Sequence, residues 1–209
     1  MEGLSALLGV VTALTVGVVS PGPSFVLVAR TAVSASRSEG VAAAMGMGAG
    51  GVVFAVAALL GLQGLLLAAP SVYLVLKVLG GLYLAYLGIR IWLSARHPLP
   101  VVGLTLKRTT RFDALVLGFT TQVSNPKTAI VYASVFAAFM PAAQSLAFAL
   151  VLVALVFTIE ASWYTVVALA LSSERPRGAY LRYKAWVDRI AGGVMVMLGM
   201  KLASSAYRA

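Results

Sequence analysis

Six apolar runs, at about residues 4–30, 41–69, 71–93, 114–140, 145–172 and 187–207, take up most of the chain. Each is long enough for a helix to cross a hydrocarbon layer, which needs about 20 residues. Of the 209 residues, 61% are hydrophobic and 11% charged, and a soluble core cannot bury so large an apolar fraction. The longest polar connection, from Ser94 to Asp113, is too short to build a core of its own. The expectation is therefore an all-α membrane protein with one transmembrane domain over 1–209, seated in the lipid bilayer, its chemistry lying within or between helices.

The net charge of +10 does not point to nucleic acid. Twelve of the 16 lysines and arginines cluster at alternate connections: Arg30 and Arg37 at the first, Arg90 to Arg111 around the third, Arg175 to Arg189 around the fifth. Basic loops stay in the cytoplasm, which predicts both termini on the opposite side. Cysteine is absent, so there is no disulfide framework and no thiolate metal site. His97 stands in a loop without a ligand partner, and no Walker sequence occurs; neither a metal nor a cofactor is expected.

The chain also resembles itself. Shifted by 104 residues, "VSPGPSFVLVA" (Val19 to Ala29) falls on "VSNPKTAIVYA" (Val123 to Ala133), and "KVLGGLYLAYLGIR" (Lys77 to Arg90) is echoed by "RIAGGVMVMLGMK" (Arg189 to Lys201). The halves, about 1–95 and 110–209, hold three crossings each, and an odd number inverts the second half. Two inverted three-helix repeats are expected, with a ligand site near mid-membrane where broken helices of the two halves meet.

Those breaks are written in the sequence as Pro-Gly-Pro and Asn-Pro-Lys. Pro21 and Pro23 lack amide hydrogens, so the carbonyls of Gly17 and Val19 lose their helical donors, and Pro126 does the same to Gln122. Unpaired backbone groups in hydrocarbon cost several kcal/mol, so such breaks persist against protein or a wet cavity. The candidate substrate-binding residues are Ser20, Pro21, Gly22 and Pro23 in helix 1 and Gln122, Asn125, Pro126 and Lys127 in helix 4. The plainer alternative is a pair of proline kinks whose carbonyls are satisfied by nearby serines and threonines.

Glu160 lies in the middle of the fifth run. A carboxylate there costs about 3 kcal/mol against lipid, so it should face the bundle and is the candidate proton-coupling group. The alternative is a structural hydrogen bond or an ion pair with Lys127. Lys77, Arg90, Arg189 and Lys201 sit near helix ends and are expected to snorkel. Asp113 and Asp188 read as caps at helix starts. Trp92, Trp163 and Tyr207 read as interface anchors. "GMGAGG" (Gly46 to Gly51) matches a dinucleotide fingerprint but follows no strand; it reads as a packing face, as do Gly80, Gly81, Gly192 and Gly193.

At "SPGPSFVLVAR", "KVLGGLYLAYLGIR", "GFTTQVSNPKTAIVY" and "DRIAGGVMVMLGMKLA" the sequence resembles the LysE/RhtB family of amino-acid exporters along essentially its whole length. The resemblance implies a bacterial inner-membrane secondary transporter, not an enzyme, that exports amino acids or their derivatives by proton antiport. It implies a small-molecule amino-acid substrate and protons as partners, and the glycine faces would permit a homodimer. A single central acid facing a lysine points to a neutral zwitterion, its carboxylate near Gly22, Asn125 and Lys127 and its ammonium at freed carbonyls and Glu160. The alternatives are a passive channel or a metal-ion exporter of the same superfamily, although Glu160 alone is too few ligands for a metal.

Overall fold

The computed structural model describes residues 2–68, 70–96, 110–141 and 144–206. Among the described residues there are eight helices and no strand: α1 (Glu2–Val19), α2 (Pro23–Ser34), α3 (Arg37–Ala68), α4 (Pro70–Ser94), α5 (Arg111–Val123), α6 (Pro126–Phe139), α7 (Leu146–Leu171) and α8 (Glu174–Ala206). His97, Lys107, Arg108 and Tyr207 lie outside the described residues, as do the side chains of Lys77, Arg175 and Arg177.

The first and fourth apolar runs each fold as two helices, for local reasons. Pro23 and Pro126 open α2 and α6, and a proline suits the first helical position because no amide donor is needed there. Gly22, extended at φ −153°, precedes α2 without a side-chain cap, whereas the Asn125 side chain caps α6 by accepting the Lys127 amide at 3.0 Å. The axis turns by 56° between α1 and α2. Other helix starts follow the usual capping chemistry. Ser145 accepts the Phe148 amide ahead of α7, and Thr110 and Asp113 form a reciprocal box at α5. The Thr110 backbone and hydroxyl donors hold the Asp113 carboxyl below its ordinary range.

Among the described residues, α3 over Arg37–Gly61 and α7 are each long and apolar enough to cross a membrane, with α1 and α2 passing together as a bent pair. α4 runs over 25 residues, whereas α6 has 14 and α5 has 13, with Thr120, Thr121 and Gln122 near its end. Asp188 does not start a helix. It lies inside α8, which begins at Glu174, and its carboxylate pairs with Lys184 one turn earlier at 2.7 Å. Lys184 also donates to the Ala95 carbonyl at the end of α4, so the pair ties α8 to α4.

Glycines let the helices approach at backbone distance. A Cβ on Gly81 would meet the Gly199 carbonyl and one on Gly199 the Gly81 carbonyl; Gly88 and Gly192 face each other in the same way. These contacts run α4 and α8 antiparallel. Gly46 and Gly118 do the same for α3 and α5, against the carbonyls of Leu115 and Ala43. With water excluded, close packing of this kind is the main force between helices in a bilayer.

The interior divides into two apolar clusters. One, around Val10, Leu14, Tyr132, Phe136, Leu152 and Met195, joins α1, α3, α4, α6, α7 and α8. The other, around Phe25, Val28, Met47, Tyr164 and Leu171, joins α2, α3 and α7, with Val18 of α1 and Ala114 of α5. The helix breaks fall at the seam between them.

Candidate functional site

Ser24 donates to Gln122 Oε1 at 2.6 Å, and Asn125 Nδ2 donates to Ser24 Oγ at 2.9 Å. All three are buried, and they bind the start of α2 directly to the break between α5 and α6. The two breaks, about a hundred residues apart in sequence, are therefore one place in the fold.

Lys127 completes the join. Its ammonium donates to the Ser20 carbonyl at 2.8 Å and to the Gly17 carbonyl at 3.3 Å, at the end of α1 where the proline-rich break takes helical donors away. A Cβ on Gly22 would lie 3.3 Å from Lys127 Cδ, so the lysine stem crosses over the glycine. Among the described residues Lys127 forms no ion pair with Glu160; the one salt bridge there is Lys184–Asp188. The backbone carbonyls take the ammonium instead.

Glu160, 1% exposed, faces the bundle. Its Oε1 accepts the Tyr132 hydroxyl at 2.9 Å, while Oε2 has no protein partner of good geometry, although the Gln122 side chain stands alongside. Ser20 Oγ is likewise buried without a partner. Both atoms belong to residues lining one cavity of about 20 Å³, enclosed further by Gly17, Gly22, Asn125, Lys127, Tyr132 and Tyr164. That volume holds about one water molecule, so this is a closed arrangement, and any larger ligand requires the walls to move.

Of the expected site residues, Ser20, Gly22, Asn125, Lys127 and Glu160 line this cavity. Gln122 stands behind it, holding Ser24. Pro21, Pro23 and Pro126 make the breaks without lining the space they open, and Pro23 and Pro126 are exposed. Tyr132, Tyr164 and Gly51 are wall or support residues that the sequence did not single out. Tyr164 follows Glu160 by one helical turn, a spacing that places both on one face. Gly51 is recognisable only in three dimensions: a Cβ there would lie 3.0 Å from both Glu160 Cγ and Tyr132 Oη. Among the described residues no group of three or more His, Asp or Glu gathers as a metal site would need.

A polar cavity thus lies at the meeting of two helix breaks inside an apolar helical chain. The family model for the LysE type translocator matches residues 15–206. The chain belongs to the LysE type translocator family. It is a membrane transporter and not an enzyme. It is 32% identical to a threonine efflux protein of Salmonella typhi over 91% of this chain and 93% of that one, and 31% identical to a threonine efflux protein of Escherichia coli K12 over the same shares. A membrane protein of Haemophilus influenzae is 27% identical over 89% of this chain and 90% of its own length. No solved structure matches the chain.

Proposed function

We propose that this LysE type translocator exports small neutral amino acids across the bacterial inner membrane, by alternating access coupled to protons. The observation that carries the reading is the meeting of the Pro-Gly-Pro and Asn-Pro-Lys breaks around a closed polar cavity walled by Glu160. The threonine efflux relatives support an amino-acid cargo.

The site offers complementary charge for a zwitterion. The uncapped start of α2 beside Gly22 and the Lys127 ammonium suit a carboxylate. Glu160 Oε2, Ser20 Oγ and the carbonyls of Gly17 and Ser20 suit an ammonium. A proton on Glu160 would compete with that ammonium, so proton and substrate would occupy the site in turn and rocking of the two halves would carry them in opposite directions.

Six crossings arranged as two inverted repeats draw support from the α4–α8 contact. In the repeat, Gly81 corresponds to Gly192 or Gly193 and Gly88 to Gly199. The Gly81–Gly199 contact then maps onto the Gly192–Gly88 contact when the halves are exchanged, as a two-fold axis in the membrane plane requires.

The test is purified protein in liposomes loaded with labelled threonine, serine or alanine under an imposed pH gradient. Accumulation against the amino-acid gradient, abolished by a protonophore, is the expected result. Movement that only dissipates the amino-acid gradient would mean a passive channel, and no movement of any amino acid would end the export reading.

A further inference from the structure

Tyr132 lines both a polar cavity and an apolar groove. On one side of it lies the polar cavity of about 20 Å³. On the other, between α3 and α6, lies an apolar groove of about 270 Å³ lined by Phe54, Ala57, Ala58, Gly61, Ala129 and Ala133; Ala57, Gly61 and Ala133 are exposed, so the groove opens on the outer face of the helices. Five of those six are alanine or glycine, so the space exists because α3 and α6 present almost no side chain to each other there.

The Tyr132 ring is held firmly in place as the partition. It is 2% exposed, its hydroxyl is bound to Glu160 at 2.9 Å, and the ring packs against Phe54 and Phe136 with centroids 5.8 and 5.9 Å away. An amino acid whose ammonium reaches Glu160 carries its side chain beside this ring, because Tyr132 donates to the same carboxylate. The other walls there combine the bound carbonyls, Lys127 and Asn125 with the apolar Leu14, Val18 and Val131, and the sizeable apolar space beside them is the groove behind the ring.

We propose that Tyr132 sets the upper size of the translocated side chain: it admits small amino acids and excludes bulky apolar ones by closing off the space beyond it. The proposal rests on the amino-acid export reading. Truncating the ring joins the cavity to the groove and adds room of an apolar kind, so leucine, methionine and phenylalanine gain access while lysine and glutamate do not.

The experiment is counterflow in liposomes with a panel of labelled threonine, alanine, leucine, phenylalanine, lysine and glutamate, for wild type and for Tyr132→Phe, Tyr132→Leu and Tyr132→Ala. Tyr132→Phe keeps the ring and selects like wild type, whatever its rate. Tyr132→Leu and Tyr132→Ala raise the leucine-to-threonine and phenylalanine-to-threonine rate ratios by about tenfold or more, the scale on which apolar pockets discriminate. Adding Ala133→Leu, which refills the space from the far side, lowers those ratios again. Either truncated variant serves if the other fails to insert. Ratios unchanged in both, or shifted as far by Tyr132→Phe, overturn the proposal while wild-type threonine movement leaves the export reading standing; a wild type that moves nothing in the panel removes both.

Discussion

Lys127 and Ser20 come from opposite halves of the chain, yet the ammonium of one sits 2.8 Å from the carbonyl of the other. The break in α5–α6 thus repairs the break in α1–α2: a cation supplies the donor that Pro21 cannot give the Gly17 carbonyl, and binds the Ser20 carbonyl as well. Lys127→Met keeps most of the stem and deletes the donor. Two carbonyls, of Gly17 and Ser20, then stand without it, at a cost of about 1–3 kcal/mol each. Thermal unfolding in detergent should fall by several degrees and export should be lost, with Lys127→Arg recovering part of both. An unchanged unfolding temperature in Lys127→Met would show that the carbonyls are satisfied without the lysine.

Glu160→Gln retains an oxygen to accept the Tyr132 hydroxyl and removes the only titrating group in the cavity between the breaks that has an unpartnered oxygen. The fold should survive, since a neutral amide is easier to bury than a carboxylate. Exchange of labelled for unlabelled amino acid at equal pH on both sides should persist, while uphill movement driven by a pH gradient should drop to background. Uphill movement in Glu160→Gln would place proton coupling elsewhere.

Much of this site was legible in the sequence because the cost of burying polar groups in lipid is so one-sided. Pro21, Pro23 and Pro126 announce missing donors, and Glu160 announces an inward-facing carboxylate, with no knowledge of the fold. What the sequence left open was pairing. Lys127 was expected at the substrate carboxylate, with an ion pair to Glu160 as the alternative, but its bonds to the carbonyls at the end of α1 are written in no spacing along the chain. Tyr132 and Gly51 act through neighbours on other helices, so no spacing along the chain reveals them. The start of α8 was misplaced for a related reason: residues 174–188 are too polar to look like a span, yet they extend the same helix beyond its apolar part.

Gly46→Ala tests the seal between α3 and α5. A methyl there would overlap the Leu115 carbonyl oxygen and come within 2.7 Å of the Phe119 nitrogen. Both are backbone atoms inside α5 and have no rotamer to escape into, so the helices must separate. Overpacking of this kind costs about 1–3 kcal/mol and more where backbone must move. The yield of monodisperse protein on size exclusion should fall sharply, and Gly118→Ala, on the facing side against the Ala43 carbonyl, should behave alike. Normal yields from both would mean that the α3–α5 contact is looser than these distances imply.

Gly51→Ala makes a finer disturbance. Its methyl would lie 3.0 Å from Glu160 Cγ and from Tyr132 Oη, and 3.4 Å from Val156. These neighbours are side-chain atoms, which give by a few tenths of an ångström, so the protein should fold with near-normal yield. The displacement falls on the 2.9 Å bond between Tyr132 and Glu160, and the initial rate of amino-acid movement should fall. Tyr132→Phe removes that same bond outright. If Gly51 acts through it, the double variant should be scarcely slower than the worse single one, because residues in one network are not additive. Rates measured for both single variants and the double in the same liposomes decide this. Effects that simply multiply would show that Gly51 shapes the cavity by some other contact.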